Sequence, residues 1–90
     1  MLKTVSIIVS GKVQGVFFRK TAKDKAIELG VKGEIRNMPD ETVHIIAIGT
    51  SGQLDQLIEW CKKGPPRAEV SNVVVEELEL HSFDEFRVVR

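Results

Sequence analysis

The sequence predicts an α+β fold in which two helices cover one face of an antiparallel sheet. Three observations carry that expectation. Apolar residues alternate at a spacing of two within Thr4 to Val9, Val31 to Asn37 and Thr42 to Ile48, as strands require. They recur at spacings of three and four in Phe18, Ala22, Ala26 and Leu29, and again in Leu54, Leu57, Ile58 and Cys61, as helices require. Breaks rich in glycine and proline set these runs in the order β-α-β-β-α-β, with a short C-terminal strand or tail. That order is the ferredoxin-like sandwich.

Each element has its own local reason. Val5, Ile7 and Val9 share one face of the first strand. The first helix spans about Phe18 to Leu29, and Gly30 follows as a left-handed cap. Val31 to Asn37 and Thr42 to Ile48 form a hairpin around Met38-Pro39-Asp40-Glu41, where Pro39 and Asp40 suit a turn. The β-branched density of the second of these strands suggests a central place in the sheet. Gly49-Thr50-Ser51-Gly52 offers caps for the second helix, which Gly64-Pro65-Pro66 ends. The fourth strand lies within Val70 to Leu80, centred on Val73, Val74 and Val75, and Phe83 to Val89 makes the final strand or tail.

The 90 residues suit a single domain, 1–90, without repeat or linker. Formal net charge is zero, so no global field draws nucleic acid or a membrane surface. Charge is nevertheless uneven. Lys12, Arg19, Lys20, Lys23 and Lys25 gather early, whereas Glu69, Glu76, Glu77, Glu79, Asp84 and Glu85 dominate late. This asymmetry reads either as two solvated faces or as weak steering of an anionic substrate. One cysteine excludes an internal disulfide framework. No apolar run is long enough to span a bilayer, and Met1-Leu2-Lys3 leads straight into a strand. The expectation is a cytoplasmic monomer.

The stretch Ser10 to Arg19 joins a strand end to a helix start. Such a place gathers unpaired N–H groups and the positive end of the helix dipole. Gly11 and Gly15 let its backbone curl towards a ligand. Arg19 adds a donor fork suited to phosphate. The spacing fits neither a Walker A loop nor a dinucleotide fingerprint. Taken alone, Arg19 reads as a surface arginine and Asn37 as a turn-starting asparagine. Phe17 and Phe18 are expected in the core and cradle packing, and Cys61 in the core. His44, His81 and Cys61 lack zinc spacing, so neither a metal nor another cofactor is expected. The strands lack the interleaved aromatics of an RNA-binding sheet.

Gly11-Lys12-Val13-Gln14-Gly15-Val16-Phe17-Phe18-Arg19 closely resembles the signature of the acylphosphatase family. Gly33-Glu34-Ile35-Arg36-Asn37 with Asp40 and Val43, and then Gly64-Pro65-Pro66-Arg67-Ala68-Glu69-Val70, resemble two further family motifs in the right order. With Phe83 and Phe86 the resemblance covers essentially the whole chain. It implies the same ferredoxin-like fold and a hydrolase of acyl phosphates. It also implies a phosphate cradle of the amides of Gly15, Val16, Phe17, Phe18 and Arg19, with Arg19 binding the phosphoryl group and Asn37 positioning water. The chain departs from the pattern in two places: Glu41 stands where the family has a turn glycine, and His44 stands where an acidic residue or glutamine is common. Two other readings are a non-catalytic phosphate-binding regulatory module and a carbamoyl-phosphate-handling domain.

Overall fold

The computed structural model describes residues 1–90. The elements are β1 (Lys3–Lys12), α1 (Phe18–Leu29), β2 (Lys32–Asn37), β3 (Val43–Gly49), α2 (Ser51–Lys63), β4 (Glu69–Leu78) and β5 (Phe86–Val89). The strands form one sheet in the order β4-β1-β3-β2-β5, which puts the β-branched β3 at its centre. β1 pairs antiparallel with both β3 and β4, and β2 pairs antiparallel with β3.

The sheet is not wholly antiparallel. β5 pairs parallel with β2, Gly33 opposite Phe86 and Arg36 opposite Val89. Direction explains this. β3 and β4 both run against β1, so β4 runs against β2. A chain that reverses after β4 and reaches the far edge must therefore run with β2. The crossing is tied down where the His81 N–H donates to Thr4 Oγ1 at 3.1 Å.

One core joins sheet and helices. Ile7 and Val9 from β1, Ile35 from β2, and Val43, Ile45 and Ala47 from β3 are buried against Phe18, Ala22 and Ala26 of α1 and Leu54, Leu57 and Cys61 of α2. α1 lies over β2 and β5, and α2 over β1, β3 and β4. The predicted helix stripes are thus the core-facing ones. Gly30, at φ 80°, ends α1 as expected: its N–H reaches the Ile27 carbonyl and that of Val31 reaches Ala26. Thr50 and Gln53 cap α2 reciprocally, each side chain bonded to the other's backbone N–H.

β1 continues past its expected end at Val9 to Lys12. A bulge between Ser10 and Gly11 lets it keep pairing with β4, Gly11 opposite Val70 and Lys12 opposite Glu69. Gly11 belongs to that bulge and not to the ligand loop. Its φ is 119°, and a Cβ there would stand 2.2 Å from the Glu69 carbonyl oxygen. The loop proper is therefore Val13 to Phe17.

Candidate active site

Val13 and Val16 anchor the loop by burial, which leaves its backbone to curve between them. Gly15 has φ 72° and Phe17 φ 65°, whereas Val16 between them keeps negative φ. Alternating handedness turns successive N–H groups towards one concavity, the geometry of an anion nest. No N–H from Gly15 to Lys20 donates in the turn, loop and cap hydrogen bonds. Phe17 supplies no side-chain cap to α1, and no acidic residue stands in its first turn. The positive end of the helix is left uncompensated by the protein's own groups.

Phe17 departs from expectation. Its ring is 65% exposed and outside the core, whereas Phe18 is buried edge-on to Trp60 with ring centroids 5.4 Å apart. The reason is local. The left-handed backbone at Phe17 turns its side chain away from the stripe that Phe18 begins. Thr21 secures the turn by donating from Oγ1 to the Phe17 carbonyl at 2.7 Å.

Arg19 lies in the first turn of α1, half-buried, with Nη1 3.4 Å from the Val89 carbonyl of β5. The last strand thus steadies the guanidinium while leaving most of its donors free. Asn37 is the last residue of β2, opposite Val43. Its Oδ1 is covered and has no protein partner. A buried acceptor left so costs about 1–3 kcal/mol, which is why such groups are rare outside functional sites.

Gln14 links the two parts, and sequence reasoning gave it no role. Its Nε2 donates to the carbonyls of Met38 and Thr42, both at 2.9 Å. The loop is thereby fastened to the residue next to Asn37. The only signal in the sequence was a two-donor amide inside a glycine-bracketed loop. The turn it grips is itself braced. The Thr42 hydroxyl at 2.6 Å and N–H at 3.1 Å both donate to Asp40 Oδ1, and they hold that carboxyl below its ordinary range.

The third motif frames the loop from the other side. Gly64 ends α2 at φ 71°, and a Cβ on it would stand 3.0 Å from the Phe18 ring and 3.1 Å from Ala68 Cβ. The Ala68 N–H closes the turn onto the Pro65 carbonyl. Pro65, Pro66 and Arg67 consequently stand beside Phe17 and Lys20 along one groove. His44, His81 and Cys61 are not brought together, and no group of three or more His, Cys, Asp or Glu residues is placed to hold a metal. No helix is long and apolar enough to cross a membrane.

The acylphosphatase sequence profile matches residues 5–88. An acylphosphatase of Methylococcus capsulatus is 43% identical over 90 residues, covering 99% of this chain and 98% of its own. Among solved structures, an acylphosphatase from Coxiella burnetii superposes with a TM-score of 0.95 at 41% identity, over 98% of this chain and 93% of that one. The Bacillus subtilis acylphosphatase gives 0.94 at 34% identity over the whole of both chains. Matches this close, running from the first strand to the last, leave one assignment: the chain belongs to the acylphosphatase family.

Proposed function

We propose that this protein hydrolyses the carboxyl–phosphate bond of acyl phosphates without a metal, through Arg19 and Asn37. One observation carries the reading. Gln14 fastens a loop of free N–H donors to the strand end that bears Asn37. Phosphate oxygens lie against the N–H groups of Gly15 to Arg19 and against the Arg19 guanidinium, and these donors supply the positive potential. No protein hydrogen bond holds the Asn37 carboxamide oxygen. Rotation about χ2 therefore presents that oxygen to a water and the amide N–H to a phosphoryl oxygen.

The water oxygen forms the new bond to phosphorus as the bond to the acyl oxygen breaks. The electron pair leaves with the carboxylate, and the water's protons pass to phosphate and solvent. Because the leaving carboxylate has a conjugate acid of pKa about 4, no general acid is needed. A loose transition state asks mainly for positioning and charge stabilisation. The accompanying reading is a cytoplasmic monomer, residues 1–90 forming one domain, with a small-molecule substrate and no nucleic-acid or membrane partner.

The test is kcat for acetyl phosphate, with Ki for inorganic phosphate, in excess chelator. Wild type keeps its activity under chelation. Arg19→Ala loses both phosphate affinity and rate. Asn37→Ala loses roughly 100-fold or more in kcat, the scale of one positioned group, and retains phosphate binding. Unchanged kcat in Asn37→Ala removes the water-positioning role. Activity lost with EDTA and restored by magnesium overturns the metal-free mechanism. Phosphate binding without any turnover favours a regulatory module.

A further inference from the structure

Beside the cradle runs an open groove of about 450 Å³, lined by Val16, Phe17, Lys20, Pro65, Pro66 and Arg67 among others. Val16, Phe17 and Lys20 belong to the loop and first helical turn whose N–H groups form the cradle. Val16 and Phe17 are common to cradle and groove, so an acyl substituent that leaves the cradle on this side meets the groove wall. Three features of the groove call for an explanation. A bulky residue at positive φ is an outlier, and Phe17, which takes that conformation in shaping the cradle, leaves its ring exposed and gains little by burial. The two prolines opposite form a stiff apolar wall, set by the turn that packs Gly64 on Phe18. The charged lining is all of one sign. Lys20 and Arg67 line the groove and no acidic residue does. Arg67 has no ion-pair partner, and Lys20 has only a loose, exposed one, Asp24 at 3.6 Å, which offers little competition.

We propose that this groove receives the acyl part of the substrate, with Phe17 and Pro65–Pro66 covering its carbon chain. Lys20 and Arg67 select acyl phosphates whose acyl part carries a second negative charge. The proposal rests on the hydrolase reading above and names the substrate class for that site. Arg67 is the more discriminating of the two cations, because its backbone lies on a different element from the cradle. It acts on specificity and not on the reacting atoms.

The test compares succinyl phosphate, whose acyl part ends in a carboxylate, with acetyl phosphate, whose acyl part is neutral. Wild type shows the higher kcat/KM for succinyl phosphate, and the advantage shrinks as salt is raised. Arg67→Ala raises KM for succinyl phosphate roughly tenfold, the effect of one charged contact worth about 1.4 kcal/mol, with kcat unchanged. Acetyl phosphate kinetics stay within about twofold. Arg67→Lys restores most of the preference. If wild type hydrolyses acetyl phosphate but Arg67→Ala alters both substrates alike, or neither, the groove proposal alone falls. If wild type hydrolyses neither, the parent reading falls with it.

Discussion

Glu41 holds a left-handed backbone, φ 72°, in the turn between β2 and β3. Its N–H closes the turn onto the Met38 carbonyl, and Met38 N–H then meets the Thr42 carbonyl, so the conformation is imposed by the hairpin. A side chain there is strained, and this one is exposed, with nothing gained in return. Glu41→Gly is therefore expected to stabilise the fold by about 1 kcal/mol, a rise of roughly 4–8 °C in Tm. A lower Tm for the variant counts against imposed strain. This strain was legible in the sequence, because a glutamate stands at the family's glycine position. Arg19 and Asn37 were singled out as site residues only through the family resemblance, because taken alone a first-turn arginine and a strand-end asparagine look like ordinary surface and turn residues. The exposure of Phe17 was not legible. Periodicity assigns neighbours to a stripe but does not reveal that one of them begins at positive φ. Gln14 was hidden for a different reason: its partners lie 24 and 28 residues away, a distance only tertiary packing closes.

β5 is held to its neighbour by charge as well as by backbone. Glu34 of β2 sits nearly buried, accepting from Arg36 Nη2 at 2.6 Å and from Arg87 Nη2 of β5 at 3.1 Å. The Arg36 hydrogen bond is the main cause that holds the Glu34 carboxyl below its ordinary value of 4.5, with Arg87 adding to it and burial opposing both. A carboxyl depressed in the fold contributes stability that is fully present above that ordinary value. It is lost as pH falls through the lowered folded value. Glu34→Gln should accordingly lower Tm at pH 7, with the gap to wild type closing as pH drops below about 4.5. A gap constant from pH 7 to pH 3 is evidence that the ion pairs contribute nothing. The variant bears on function too, since the same strand offers Arg19 its Val89 carbonyl. The elements were mostly legible, down to the Gly30 cap. The parallel direction of β5 was not, because direction depends on where the chain re-enters the sheet and no local pattern encodes that.

For the molecule as a whole, Cys61 is an internal gauge. It lies in the shared core with Leu54 and Leu57 on the buried stripe of α2, and burial pushes its thiol up to about 12. Only the thiolate reacts readily. A thiol reagent at pH 8 should leave the native protein unlabelled and should modify the unfolded chain completely. The slow rate under native conditions then reports how often the core opens. Labelling of native protein at the rate of a free cysteine would falsify the packing described here.

The strand order β4-β1-β3-β2-β5 also governs time. Only β2 and β3 are neighbours both along the chain and in the sheet. Every other pairing joins segments with a helix or several strands between them, so a long loop must close before the pairing rewards it. Neither half of the chain can complete a sheet by itself, since β3 lies between β1 and β2, and β1 lies between β3 and β4. Such a topology folds late and all at once, towards the millisecond-to-second range of chains dominated by non-local pairing. Until closure, the valine- and isoleucine-rich β1 and β4 stand unpaired and β3 keeps a free edge beside β2, and in that interval the chain is most exposed to aggregation.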